Sequence, residues 1–265
     1  MVNVKMKCSP PLNRQTLLSV NHIKEQGVKS AHNIGSINRC SSGEPAALAD
    51  NNRYGASQIP ASPPEVPSTV SHVQRSPMSI PQLLHTVQKG QKLPLEDSGK
   101  LSAIKACLGW NTTDPNCDVD VSAFLLNANG KVIDDEWFVF YGQTQSPDNS
   151  AIFSLEDGED RESILVDFRK LNPAVKKIVF VLTINEAFEK KLNFSMLKEA
   201  YIRIMDTVAS RELVSFKMEE YYSNVTSMMI GEIYLHNGVW RFNAIGNGVA
   251  RDLAGLCELY GVQVV

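Results

Sequence analysis

Asp118-Val119-Asp120-Val121-Ser122-Ala123-Phe124-Leu125-Leu126-Asn127, followed by the turn Asn129-Gly130, is the stretch that decides the fold. Its apolar residues alternate: Val119, Val121, Ala123 and Leu125 face one way, and Asp118, Asp120, Ser122 and Phe124 face the other. That period of two predicts a strand with two carboxylates on one face, two residues apart. Carboxylates that close repel each other unless a cation or water stands between them. Downstream lies Glu156-Asp157-Gly158-Glu159-Asp160-Arg161-Glu162, five acids against one base. If the fold joins the two segments, the neutraliser is a hard divalent cation, and an all-oxygen donor set favours calcium over transition metals.

Similar strand patterns recur outward from this segment, at 84–87, 103–108, 137–141, 163–168, 177–184, 201–205, 212–216, 228–236 and 239–244. Asn237-Gly238, like Asn129-Gly130, stands between alternating apolar residues and predicts a tight hairpin turn. Ile178-Val179-Phe180-Val181-Leu182 is apolar on both faces and predicts a central strand. Val249, Leu253, Leu256, Cys257 and Tyr260 share a helical stripe that Gly261 ends, and 194–200 suggests a second, short helix. The fold class predicted is all-β with minor α: an antiparallel β-sandwich with a C-terminal helix.

The sandwich is assigned to residues 80–265 and a disordered Pro/Ser-rich extension to 1–79. Nine of the 13 prolines fall in the first 81 residues, densest in Pro60-Ala61-Ser62-Pro63-Pro64-Glu65-Val66-Pro67. Such a composition buries too little apolar surface to offset chain entropy. One short helix over 15–25 is the exception, marginal by itself. Met78 would also serve as a start just ahead of the globular part. The net charge of -3 hides an asymmetry, +4 over residues 1–85 and -7 over the remainder, so the acidic part is the globular part. Nothing there calls for nucleic acid as a partner.

Five cysteines without a CxxC pair suggest neither a disulfide framework nor a zinc site. Cys107 and Cys257 read as core and Cys117 as an exposed loop thiol. No run reaches the ~18 apolar residues of a membrane span, and residues 1–8 lack a secretory apolar core, which predicts a cytoplasmic chain. Paired acids also suit glycosidases, but no sugar-stacking aromatic cluster accompanies them. Gly246-Asn247-Gly248 fits no nucleotide fingerprint and reads as a turn feeding the last helix, and His236 as a half-buried strand end.

Together, several segments resemble the TerD family of tellurium-resistance and stress proteins. They are Val87-Gln88-Lys89-Gly90-Gln91-Lys92, Leu108-Gly109-Trp110, the segment from Asp118 to Val132, Phe138-Val139-Phe140-Tyr141 with Ser146-Pro147-Asp148, and 178–184. Ala200-Tyr201-Ile202-Arg203, 231–240 and Tyr260-Gly261-Val262 complete the set. The resemblance covers about residues 84–265. It implies a β-sandwich, calcium in an acidic cleft, no catalytic activity, and a role in tellurite or chemical stress within assemblies of TerD-like proteins. Departures cluster where the metal would sit. Asn111 replaces an Asp, Gly142 an Asn and Asn149 a Gly, and the stretch 146–164 is shorter than usual. Calcium takes about six to eight oxygens, so these losses leave one weakened site. It would be built from Asp118, Asp120 and Asp148 with some of Asp157, Asp160 and Glu162. The rival expectation is an interaction module whose metal site has decayed.

Overall fold

A computed structural model of the chain describes residues 77–95 and 101–264. The expected extension, apart from 77–79, and the short helix over 15–25 fall outside the described residues. Among the described residues eleven strands and one α-helix follow in order: β1 (Lys92–Pro94), β2 (Ala103–Thr112), β3 (Val119–Leu126), β4 (Phe138–Phe140), β5 (Ala151–Leu155), β6 (Glu162–Asp167), β7 (Lys177–Ile184), β8 (Leu197–Asp206), β9 (Arg211–Lys217), β10 (Ser227–His236), β11 (Val239–Val249) and α1 (Leu253–Tyr260). They form two sheets, ordered β1-β11-β10-β7-β3-β4 and β5-β6-β2-β8-β9, with every strand pair antiparallel. This is the β-sandwich that the alternation predicts.

The core follows from strand parity. Val121 and Ala123 of β3, Phe180 and Leu182 of β7, Ile104 and Leu108 of β2 and Ile202 of β8 are all fully buried. β7 lies between β10 and β3, the interior place its unbroken apolar run demands. β10 and β11 meet at Asn237-Gly238, both left-handed at φ 50° and 78°. That conformation matches the strand twist.

Parity also sends Phe124, Phe138 and Phe140 to the outer face of the six-stranded sheet, where their rings stack at 4.4 and 4.6 Å. Tyr260 of α1 closes over Phe124 at 4.5 Å. Burying such rings stabilises by about 2–3 kcal/mol each, and an eight-residue helix needs that support. Asp252 caps the first turn by accepting from Gly255 N–H at 2.8 Å, and left-handed Gly261 ends the helix.

Several expectations are corrected. Residues 84–87 make one parallel bridge, Thr86 to Ser215, rather than a strand. Phe194–Met196 is a single 3-10 turn that leads straight into β8. Gly246-Asn247-Gly248 and Val249 belong to β11 and not to a turn or the helix. A side chain at 248 would stand 2.5 Å from Val225, so glycine is what lets the strand continue there. β1 and β5 were not anticipated. Cys117 is buried and packs into the hydrophobic core, its N–H closing a turn on Asp114 C=O at 3.1 Å, and His236 is exposed beyond the last core-facing residue of β10. Among the described residues no helix is long and apolar enough to cross a membrane.

Candidate metal centre

β3 does what its alternation dictates. Asp120 and Ser122 leave the strand on the outer face, and cross-strand register sets Asp120 beside Thr183 of β7 and, one strand further, Ser227 of β10. The turn after β7 and the residues ahead of α1 roof this row. Between them lies a cavity of about 70 Å³ lined by Asp120, Ser122, Tyr141, Asn185, Glu186 and Asp252. The Ser122 hydroxyl oxygen is buried in it without a hydrogen-bond partner among the described residues.

A third carboxylate arrives from the opposite sheet. Glu162, the first residue of β6, is fully buried, and its Oε2 accepts from Val121 N–H at 2.8 Å. The reason is local: β4 pairs only with Ser122, Ala123 and Phe124, so Val121 N–H faces Glu162 instead of a strand. The Tyr141 phenol reports the convergence. Burial, then the charges of Asp120, Asp118 and Glu162, push its pKa well above the ordinary tyrosine value. Tyr141 therefore stays a neutral donor amid three acids.

The other three expected ligands are placed elsewhere. Asp148 pins its own loop: Oδ1 accepts from Ser146 Oγ at 2.7 Å and Ser150 N–H at 2.9 Å, and Oδ2 from Asn172 N–H at 2.8 Å. Burial would raise its pKa, but these hydrogen bonds, Ser150 and Ser146 foremost, outweigh it and hold the carboxyl below its usual range. Asp157 is exposed at the tip of the β5–β6 hairpin. Asp160 folds back over the outer face of the five-stranded sheet, where Arg203 grips both its oxygens at 3.0 and 2.7 Å and Tyr201 donates at 2.9 Å. Tyr201 lies flat on Gly109: any Cβ there would stand 2.4 Å from the phenolic oxygen. Glu156 likewise pairs with Lys105 at 2.7 Å.

The six expected ligands thus divide into Asp118, Asp120 and Glu162 around Tyr141, and Asp148, Asp157 and Asp160 in three other settings. Among the described residues no three His, Cys, Asp or Glu side chains stand close enough together to hold a metal ion as they are. Asn111, found where the resemblance leads one to look for an Asp, is a hydrogen-bonding hub for Met78, Glu199 and Arg161. Sequence reading missed Ser122, Tyr141, Glu186 and Asp252. The Ser122 position was available from the alternation that located Asp120; the others come from loops that no period links to β3.

A family model described as the TerD domain matches residues 83–260. The chain is 35% identical over 189 residues to the uncharacterised protein YceE of Bacillus subtilis, covering 67% of this chain and 98% of that one. It is also 35% identical over 189 residues to general stress protein 16U of the same species, covering 68% and 98%. The tellurium resistance protein TerD of Alcaligenes sp. is 35% identical over 188 residues, covering 67% and 97%.

Proposed function

The chain belongs to the TerD domain family, and from that footing we propose a non-enzymatic, cytoplasmic stress-response protein that binds calcium weakly at one site. The carrying observation is the cavity lined by Asp120, Ser122, Asn185 and Glu186, in which the Ser122 hydroxyl is buried with no partner among the described residues. Asp120 and Glu186 both line it, and a divalent cation drawn between them would offset the repulsion of their charges. Ser122 and Asn185 offer further oxygens there. Ordering of the turn after β7 around the ion would then alter the surface presented to TerD-like or other stress proteins.

Names among the relatives speak of tellurium resistance and general stress, which supports a role in chemical stress for this chain. Among the cysteines of the described residues, soft-ligand thiol chemistry is a poor candidate for that role. Burial pushes the Cys107, Cys117 and Cys257 thiols up to about 12, so none is a ready thiolate.

Thermal melts in calcium and in EDTA, with calorimetric titration, test the reading. At tenfold excess over the dissociation constant, binding adds about 1.4 kcal/mol, a rise of roughly 3–6 °C for a domain this size. Asp120→Asn should abolish it. A flat melt with no heat at millimolar calcium would defeat the proposal. A second reading, a docking module without metal, draws on the engagement of Asp148 and Asp160 within the fold. On that reading Asp118→Asn with Asp120→Asn stabilises the chain equally with and without calcium.

A further inference from the structure

Residues 77–87 run from the end of β2, the middle strand of the five-stranded sheet, to its edge strand β9, held by main-chain hydrogen bonds and by the buried side chains of Pro81 and Val87. Asn111, 4% exposed on β2, accepts from Met78 N–H at 2.9 Å and donates to Met78 C=O at 2.9 Å, as a neighbouring strand would. Further on, Glu212 Oε1 takes two successive amides, Leu84 N–H at 3.0 Å and His85 N–H at 2.7 Å. Ser215 of β9 then donates its N–H to His85 C=O at 3.0 Å and accepts from Val87 N–H at 2.9 Å. Recognition through main-chain atoms at a sheet edge is how proteins take up extended peptides.

Two further observations mark the Asn111 end as a built site. The β2–β8 register shifts between Gly109 and Asn111, and Glu199 sits in that bulge at φ +58°. A left-handed glutamate costs about 1 kcal/mol, and here it delivers a carboxylate 2.8 Å from Asn111 Nδ2. From the other side Arg161 donates to Asn111 Oδ1 at 3.3 Å while its guanidinium lies 5.7 Å over Trp110. The amide is thereby fixed with its nitrogen and oxygen both aimed at a peptide unit. An aspartate could not play that part, since it has no donor for Met78 C=O.

We propose that Asn111, Glu212 and the edge of β9 form a peptide-binding groove, filled here by the chain's own residues 78–87 and able to take the same segment from a second copy. A second copy is the fitting occupant because it makes the same contacts atom for atom. The pivot is the turn over residues 88–91, closed by Gln91 N–H to Gln88 C=O at 3.0 Å, with Gly90 at φ +83° and open space where its Cβ would stand. Opening that turn gives up one anchor, Gly90 N–H to Ala244 C=O at 2.6 Å, and releases the segment ahead of it for exchange between copies.

Thr86 and Ser215 supply the test, since their hydroxyl oxygens lie 3.5 Å apart across the bridge. Full-length chains carrying Cys8→Ser and Cys40→Ser are given either Thr86→Cys or Ser215→Cys, mixed, and oxidised mildly. Exchange predicts a cross-linked heterodimer that neither chain forms alone, appearing faster when both also carry Asn111→Asp. A chain with both cysteines controls for geometry by cross-linking within itself. Internal cross-linking in that control with no heterodimer from the mixture overturns the proposal.

Discussion

A single residue, Asp160, separates two ways of reading the acidic run. Its spacing alone suggests a metal ligand, yet Arg203 and Tyr201 hold it, and side-chain exposure at the ion pair is 10% for the acid and 14% for the guanidinium. Removing one partner of so shielded a pair leaves a charge without its counterion. Asp160→Asn should therefore cost about 3 kcal/mol in urea unfolding, whether calcium or EDTA is present. A loss seen only with calcium would return Asp160 to the metal. Asp148 makes a pH-dependent prediction. Its folded pKa is depressed, so its stabilisation is complete above the unfolded value near 3.9 and disappears as pH falls through the folded one. Asp148→Asn should weaken the protein by about 1 kcal/mol at neutral pH. The gap to the parent should close below about pH 4, read from urea midpoints at both pH values. The pairing of Asp118 with Asp120 was legible because strand periodicity is local. The Arg203 grip on Asp160 was not, since partners 43 residues apart obey no period.

At the level of elements, legibility tracked burial. β3 and β7 matched their expected limits because every residue of β3 is buried, as are seven of the eight in β7. β5 escaped notice because only Ala151 and Phe153 are buried, while Ser154 and the apolar Leu155 are exposed. β1 is three residues ending in Pro94 at a sheet edge, a place where a strand tolerates proline. The segment 194–200 imitates a helix start, with Asn193 capping Ser195 N–H, but Leu197 is drawn into β8 by pairing with Thr112. Tertiary pairing overrides local propensity there. Helix α1 hangs on its cap and its aromatic seat, so Asp252→Ala should cost about 1 kcal/mol, lowering the melting midpoint by roughly 2–4 °C. An unchanged midpoint would mean that the Tyr260 seat holds the helix unaided. Asp252 also lines the cavity beside Asp120, so the same variant should weaken any calcium response.

For the molecule as a whole, three buried thiols occupy three different supports: Cys107 in the middle strand of the five-stranded sheet, Cys117 in the loop entering β3, and Cys257 in α1. Burial raises each thiol to about 12. Relative to a free cysteine, this cuts the thiolate fraction at neutral pH by on the order of 10³. Modification must then wait for opening, and opening is not uniform. α1 leans on the sandwich through one face and can lift off without unpairing a strand, whereas exposing Cys107 requires β2 to part from β6 and β8 together. In a chain carrying Cys8→Ser and Cys40→Ser, pulsed alkylation read by mass spectrometry should label Cys257 first. Cys107 should come last, with an opening free energy equal to that of global unfolding from denaturant curves. Labelling of Cys107 ahead of Cys257 would mean that the five-stranded sheet opens while the helix holds, placing the stable half of the sandwich with β3, β7 and the acidic cavity.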